Sequence, residues 1–167
     1  AYEISTRDWS SDVCSSDLSG SIIMYAADNI IFRTANWDTI VAQNLQNPTT
    51  IPGLLAPNDG SPNFPKIATH GFVTRKMTEI LGYLLPPYFE SEFCDTWITE
   101  IALESNILHV QRQVLIEHLH PSWGKASFDD TYNFRKQKLY FFELFLFYEL
   151  LSRTRKREIR KIGRAHV

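Results

Sequence analysis

Residues 21–34 read SIIMYAADNIIFRT, and this stretch decides the fold that we predict for the chain. The apolar run over residues 22–26 is rich in isoleucine and suits a strand that is covered on both faces of a sheet. Asp28 follows at its carboxyl end, which is where open α/β sheets bind ligands. The pair Asp28-Asn29 is also typical of a turn between two strands, so the position alone leaves both interpretations open.

The two ends of the chain differ in kind from its middle. Residues 8–18, DWSSDVCSSDL, resemble the translation of a common sequencing-library adaptor, and residues 1–7 fit the primer and index segment before it. Residues 162–167, IGRAHV, resemble the same type of adaptor. Segments of this kind are set aside in fold reasoning, as tags are. We therefore expect residues 1–18 and 162–167 to be adaptor-derived and absent from the core, and residues 19–161 to be a native fragment.

The composition indicates a packed globular chain, with 44% hydrophobic and 13% aromatic residues. Of the two cysteines, Cys14 lies in the adaptor-like segment, so Cys94 has no native disulfide partner. This favours a reducing compartment, and we predict a cytoplasmic location. The net charge of -2 gives no general attraction for nucleic acid. Glu143 and Glu149 interrupt the most apolar region, so we expect no transmembrane segment.

Hydrophobic periodicity predicts an α/β fold with a mixed sheet and flanking helices. The sheet contains residues 22–26 and 114–119, and residues 107–110 form a further strand or one arm of a hairpin. The predicted helices cover residues 37–45, 75–81, 96–104 and 132–153. Residues 48–65 are rich in Pro, Asn, Gly and Thr, so we predict a long loop that forms a flap over a site. If strands before Ser21 are missing, residues 22–26 form an exposed sheet edge.

A series of short motifs runs through the native part in one order. It comprises A-D-N, I-x-F-R-T-x-x-W-D, P-N-D-G, T-H-x-F, G-Y-x-x-P, D-x-W, E-H-x-H-P, G-K-A and D-x-T-Y. This order resembles glycosyltransferases of the GT-A class and, more narrowly, is similar to a glycosyltransferase-like family common in phage and bacterial sequence collections. The resemblance implies the carboxyl-terminal part of a GT-A-like fold, with the amino-terminal nucleotide-binding strands missing.

The resemblance also implies a Mn²⁺ or Mg²⁺ ion that neutralises the diphosphate of the donor. The D-x-D motif of such enzymes falls on residues 26–28, so Asp28 is its one remaining acid, and Asn29 stands where a second acid is common. His118 and His120 share one face of a predicted strand and are the candidate histidine ligands. Imidazole suits Mn²⁺ better than Mg²⁺. Either histidine is equally compatible with a hydrogen-bonded residue near a strand end.

Sugar transfer needs a general base for the acceptor hydroxyl, and Asp95 is our candidate. It opens a predicted helix after an aromatic and acidic loop, where similar enzymes place their catalytic acid, although an N-cap explains it equally well. The candidate substrate-binding residues are Asn29, Tyr83, Trp97 and Lys125. A tryptophan at helical spacing is more often part of the core, and a lysine such as Lys125 is more often solvated.

The predicted site brings Asp28, Asp95, His118 and His120 into one cleft under the loop of residues 48–65. We expect Asp28 to lie within about 5 Å of one imidazole, as a shared metal requires. The expected partners are a nucleotide-sugar donor and an unknown acceptor, with no nucleic acid.

Two other functions are compatible with these residues. The reduced acid motif fits a non-catalytic sugar-binding or scaffold protein with a degenerate transferase fold. In a metal-dependent hydrolase or nuclease, six residues could be metal ligands, although the sequence has no closely spaced metal-binding motif such as H-E-x-x-H. These are Asp28, Asp59, His70, Asp95, His118 and His120. We interpret the basic segment RTRKREIRK, residues 153–161, as a solvated helix face that also favours the helix dipole.

Overall fold

The strand predicted from the opening stretch lies inside the sheet. The computed structural model describes residues 2–5, 18–89, 92–128, 130 and 140–166. Ile22–Tyr25 form strand β2, whose four side chains are all buried. β2 pairs in parallel with β1 (Tyr2–Ser5) and antiparallel with β5 (Gly71–Thr74). An isoleucine-rich run is suited to this position because both of its faces are covered.

The other strands complete a mixed sheet. They are β3 (Ile30–Phe32), β4 (Leu54–Asn58) and β6 (Leu108–His118), and the order across the sheet is β1-β2-β5-β4-β6-β3. β2 and β4 both run antiparallel to β5, and β4 runs parallel to β6. The carboxyl ends of β2, β4 and β6 therefore lie at one edge of the sheet.

Helices cover both faces of the sheet. On one face, which we call the α1 face, Val41 of α1 (Trp37–Asn44) lies in a buried cluster with Met24 and Phe72. On the other, the α3 face, the core is formed with α2 (Arg75–Leu81), α3 (Cys94–Glu104) and α5 (Ser152–His166). The mixed sheet with flanking helices confirms the predicted α/β class. Among the described residues, no helix is long and apolar enough to cross a bilayer.

Helix α2 matches the prediction at both ends. Thr74 is its N-cap, and its hydroxyl oxygen accepts the backbone N–H of Met77 at 3.4 Å and that of Gly53 at 2.9 Å. Gly82 ends the helix with a left-handed φ of 85°, which a glycine adopts without steric strain. The predictions at residues 37–45 and 96–104 are also confirmed, with one difference. α3 begins at Cys94 after the N-cap Phe93, so Asp95 lies in the first turn rather than at the cap.

The prediction of a continuous loop over residues 48–65 is wrong, because Leu54–Asn58 form β4 in the middle of the sheet. Pro57 concealed this strand, since proline is normally excluded from central strands. β4 pairs with β5 only at Leu54 and Leu55, so Pro57 has a strand neighbour on the β6 side alone. The register with β6 shifts immediately after Pro57. A proline is tolerated here because the pairing is one-sided and ends in an irregularity.

Residues 108–118 form one strand instead of a hairpin. Pro57 is aligned with Gln111, whereas Asn58 is aligned with Leu115, so residues 112–114 of β6 form a bulge without partners on β4. Arg112 and Gln113 in this bulge are exposed. These polar residues suggested a turn between two strands, although the backbone continues in the same direction.

In the described part of this region, two α-helices joined by a π-helical turn replace the single helix predicted at residues 132–153. Residues 131–139 lie outside the described residues. α4 (Tyr140–Phe145) continues into a π-helical turn, Leu146–Leu150, and α5 then extends to His166 through the basic segment. The predicted end at Arg153 is therefore wrong.

The terminal segments make contacts that we did not predict. β1 covers the free edge of β2, so residues 22–26 are not an exposed edge. Ile162 is fully buried in the core of the α3 face. The prediction that both ends stay out of the core is wrong at Ile162. These contacts do not bear on the origin of the two segments.

Candidate functional site

The carboxyl ends of β4 and β6 and the start of β3 are joined by hydrogen bonds. Asn29 directly precedes β3, and its side chain donates to the carbonyl of Leu119 at 3.1 Å, while the Leu119 N–H donates to the Asn29 carbonyl at 2.8 Å. The backbone N–H of His118 donates to the carbonyl of Asp59 at 3.0 Å. We call this region the strand-end site, and it is where α/β sheets bind ligands.

The turn after β4 places a buried carboxylate in the strand-end site. Gly60 has φ 69° and donates its N–H to the side chain of Asn58 at 2.9 Å, an Asx-type turn. Asp59 is 1% exposed, and its Oδ1 accepts the N–H of Ser61 at 2.9 Å. Its Oδ2 accepts the hydroxyl of Thr69 at 2.6 Å. Both carboxylate oxygens are therefore engaged within the protein.

A short relay of hydrogen bonds sets the proton position on His70. Thr69 gives its one hydroxyl hydrogen to Asp59, so its oxygen, 3.4 Å from His70 Nδ1, accepts the ring N–H. Nε2 is buried and has no hydrogen-bond partner of normal geometry among the described residues. Burial lowers the pKa of His70 to about 4, although the Asp59 carboxylate and then a hydrogen bond to the backbone of Ile116 oppose this shift. His70 is thus neutral at pH 7.

His118 contributes a second neutral imidazole. It lies on the α1 face, two residues after the buried Ile116, and is 9% exposed. Burial, and then the neighbouring His70 and His120, lower its pKa to about 4. The centroid of the His118 ring lies 6.1 Å from that of His70 and 5.2 Å from that of His120. Within the described part of the chain, His118 Nδ1 has no hydrogen-bond partner.

His120 is arranged as a hydrogen-bond donor rather than as a metal ligand. Its Nδ1 accepts the N–H of Ser122 at 3.1 Å, and its ring packs on Trp123 at 4.6 Å in the 3-10 turn Pro121–Trp123. Burial lowers its pKa, so the ring is neutral at pH 7 and its proton lies on Nε2. Metal binding through Nε2 would require the proton to move and the Ser122 hydrogen bond to break. This disfavours His120 as a ligand.

The fit of Mn²⁺ to the strand-end site is partial. Across the residues that the structure describes, no three His, Cys, Asp or Glu side chains are grouped so as to hold a metal. Asp28 is exposed and lies next to Asn29 at the same edge as His118. His118 and Asp28 could supply two ligands. The remaining positions would have to be filled by a ligand such as a diphosphate.

Lys125 is held at the border of the strand-end site. Its Nζ pairs with Glu117 Oε1 at 2.9 Å and donates to the Gly60 carbonyl at 3.3 Å. Arg33 pairs with the other oxygen of Glu117 at 2.9 Å. Hydrogen bonds from Lys125 and then Arg33 lower the pKa of Glu117. Two cations thus share one carboxylate, which leaves a net positive charge at this border.

Asp95 approaches the same edge from the α3 face. Burial, and then the charge of Asp95, raise the pKa of Tyr25, the last residue of β2. Burial raises the pKa of Asp95 to about 6, although hydrogen bonds from Thr96, the shortest 2.6 Å, oppose the shift. The charges that act on His118 include neither Asp95 nor Asp28. The structure therefore groups His118 with His70 and His120, and the convergence of Asp28 and Asp95 on this cleft stays a prediction.

Tyr83 and Trp97 belong to the core of the α3 face. Trp97 is 0% exposed, and its Nε1 donates to Glu158 Oε2 at 3.0 Å. The hydroxyls of Tyr83 and Tyr88 donate to the same carboxylate at 2.7 and 2.9 Å. A ring without exposed surface cannot stack on a sugar, so the substrate-binding prediction is wrong for Trp97. Tyr83 is partly buried and serves the same network.

Sequence reasoning gave Asp59, Thr69 and His70 too little weight. Asp59 and His70 entered only as possible ligands of a hydrolase, and Thr69 was not assigned a role. The signal that was available is their position in the motifs P-N-D-G and T-H-x-F, each directly beside a strand in the structure.

Comparisons with known proteins add no relative. No family model, curated protein or solved structure matches this chain. A function must therefore be argued from the strand-end site and from the motif order.

Proposed function

We propose that the chain is the catalytic part of a metal-dependent glycosyltransferase, which moves a sugar from a nucleotide-sugar donor to an acceptor hydroxyl. One observation carries the proposal. The carboxyl ends of β4 and β6 are hydrogen-bonded to each other, the β2–β3 connection that contains Asp28 is hydrogen-bonded to the end of β6, and His118 and His120 lie at this same end. Edges of this kind bind phosphate-bearing ligands in open α/β sheets. The GT-A motif order supports the choice of sugar transfer.

His118 and Asp28 are the residues that would hold the metal. His118 is neutral at pH 7 because of its low pKa, so it can ligate without first losing a proton. Asp28 is exposed and can turn toward an ion as the ligand binds. When bound, Mn²⁺ would neutralise the charge that develops on the diphosphate leaving group.

The protein's own donors would hold the diphosphate. His120 keeps its proton on Nε2 because Nδ1 accepts from Ser122, and an N–H of this kind suits a phosphate oxygen. Lys125 and Arg33 add positive charge at the border of the site, which favours an anionic ligand. Asn29 donates its side-chain N–H to Leu119, and its Oδ1, which has no hydrogen-bond partner among the described residues, would be the atom that contacts the donor.

Asp95 would act as the general base on the acceptor hydroxyl. Its pKa of about 6 keeps most of the carboxylate ionised at pH 7 and also makes it more basic than an exposed aspartate. A base is most effective when its pKa lies near the working pH.

The test is Mn²⁺-dependent release of nucleoside diphosphate from a panel of nucleotide sugars, with and without simple sugar acceptors. We expect release by the wild-type chain, and we expect Asp28→Ala and His118→Ala to abolish it. Glu79→Ala is the matched control, because Glu79 is an exposed acid on α2. Release that persists in Asp28→Ala, or that is absent with every donor, would contradict the proposal. Donor binding without metal or turnover would instead favour the scaffold alternative.

A metal-dependent hydrolase remains the second candidate, because His70 and His118 each have a buried nitrogen without a partner among the described residues. Asp59 is not available as a metal ligand in such an enzyme, because Ser61 and Thr69 already donate hydrogen bonds to its two carboxylate oxygens. A phosphodiester substrate separates the two functions. Its metal-dependent cleavage, lost in His70→Ala, would select the hydrolase.

A further inference from the structure

The last part of the chain exposes aromatic side chains that the strand-end site does not use. Phe142 and Phe145 lie on α4, and Tyr148 lies on the π-helical turn that follows. Their exposed fractions are 61%, 57% and 58%. Scattered apolar residues are common on surfaces, but three large aromatic residues within seven positions form a patch that marks an interaction surface.

The next helix adds positive charge without exposed negative charge. The side chains of α5 that are basic and exposed are Arg153, Lys156, Arg157, Arg160, Lys161 and Arg164. Its one acid, Glu158, is 2% exposed and accepts the hydrogen bonds from Tyr83, Tyr88 and Trp97. None of the six cations pairs with an acid in the described part of the chain.

The aromatic and basic residues lie on adjoining segments of the chain. The π turn and α5 meet at Leu151, whose N–H donates to the Leu146 carbonyl and whose carbonyl accepts the Arg155 N–H. Phe147 and Ile162 are buried in the same core on the α3 face. The guanidinium of Arg155 lies over the Phe147 ring at 4.4 Å, so the two segments are also in contact through their side chains. We call the exposed aromatic and basic side chains of α4, the π turn and α5 the aromatic-basic face.

We propose that the aromatic-basic face binds the surface of an anionic lipid membrane. Aromatic side chains enter the boundary between headgroups and acyl chains, and cations on the adjoining helix approach lipid phosphates. The two chemistries occupy successive stretches of the helix. Single-stranded nucleic acid is bound instead by aromatic residues set within a basic groove. The six exposed cations of α5 outweigh Glu149, the exposed acid beside Tyr148, so the net positive charge of the face is complementary to an anionic bilayer. The proposal does not depend on sugar transfer.

The experiment is flotation of the full chain with phosphatidylcholine vesicles that contain either no phosphatidylglycerol or about 30% of it, at low and high salt. We expect binding only to the anionic vesicles, with a loss of binding at high salt. Lys156→Glu combined with Arg160→Glu should reduce the partition coefficient at least about tenfold. Phe142→Ser combined with Phe145→Ser should also reduce it several-fold, since burial of apolar area contributes to the affinity.

Matched controls are Lys66→Glu and Phe128→Ser, which alter an exposed cation and an exposed phenylalanine elsewhere. Circular dichroism establishes that each variant is folded, and the charge reversal decides the outcome if the phenylalanine variant is not. Equal binding to both vesicle types would overturn the proposal. So would an equal loss in the controls, unchanged binding of the charge-reversal variant, or binding to a single-stranded oligonucleotide but not to vesicles.

Discussion

Replacing Asp95 with asparagine should stabilise the protein near neutral pH. Burial raises the pKa of Asp95 from 3.8 to about 6, which means that the native state prefers the protonated carboxyl. A carboxyl whose pKa is raised by folding stabilises the native state at any pH below its pKa in the unfolded chain, 3.8. That stabilisation is lost as the pH rises through about 6, its pKa in the native state. Two pKa units correspond to about 3 kcal/mol of unfolding free energy. Asparagine keeps an oxygen for the Thr96 N–H but carries no charge.

The assay is urea unfolding of the wild type and Asp95→Asn between pH 4 and 8. The two proteins should be about equally stable near pH 4, and the variant should gain up to about 3 kcal/mol by pH 7.5. Titration of the histidines is common to both proteins and cancels in the difference. Asp28→Asn is the control and should change little, because Asp28 is exposed. A difference that stays constant with pH, or a less stable variant at pH 7.5, would refute the burial argument.

Three further predictions follow from buried polar groups. Glu158→Gln should lower the unfolding free energy by about 2–4 kcal/mol, because a buried carboxylate that accepts three hydrogen bonds is replaced. The control Glu149→Gln, at an exposed position, should change it by less than about 0.5 kcal/mol. Equal effects of the two substitutions in urea unfolding would argue against the network. Thr74→Ala should lower the unfolding free energy by about 1–2 kcal/mol through loss of the α2 cap, and a neutral result would show that the cap is redundant. The ring signals of His70 and His118 in NMR should titrate with midpoints near pH 4. Because the native state disfavours the charged rings, acidification below pH 6.5 should lower the unfolding free energy. Midpoints near 6.5 would show that neither ring is desolvated.

Local signals predicted those elements whose boundaries are set by nearby residues. α2 was found because Thr74 caps it and Gly82 ends it, and both act within a few residues. β2 was found because its run of buried side chains is unbroken. β4 was missed because its tolerance of Pro57 depends on one-sided pairing with β6, which is more than 50 residues away in the chain. No local pattern encodes that partner.

The site was predicted in part for the same reason. His118 and His120 followed from the alternation of one strand, and the structure keeps their rings 5.2 Å apart. The division of roles between them depends on Ser122 and on His70, and these contacts form only in the folded chain. Trp97 was assigned to sugar binding because its hydrogen bond to Glu158, 61 residues away, is invisible in a local pattern.

The central claim is that the strand-end site binds a divalent metal through Asp28 and His118. The most direct measurement is an NMR titration with Mn²⁺, whose paramagnetism broadens the signals of nearby protons. We predict that the ring signals of His118 and His120 broaden first in the wild type, and that Asp28→Ala requires at least about tenfold more Mn²⁺, as expected when one ligand is lost. Glu79→Ala should behave as the wild type. Uniform broadening across the five histidines, or identical titrations of wild type and Asp28→Ala, would contradict the account.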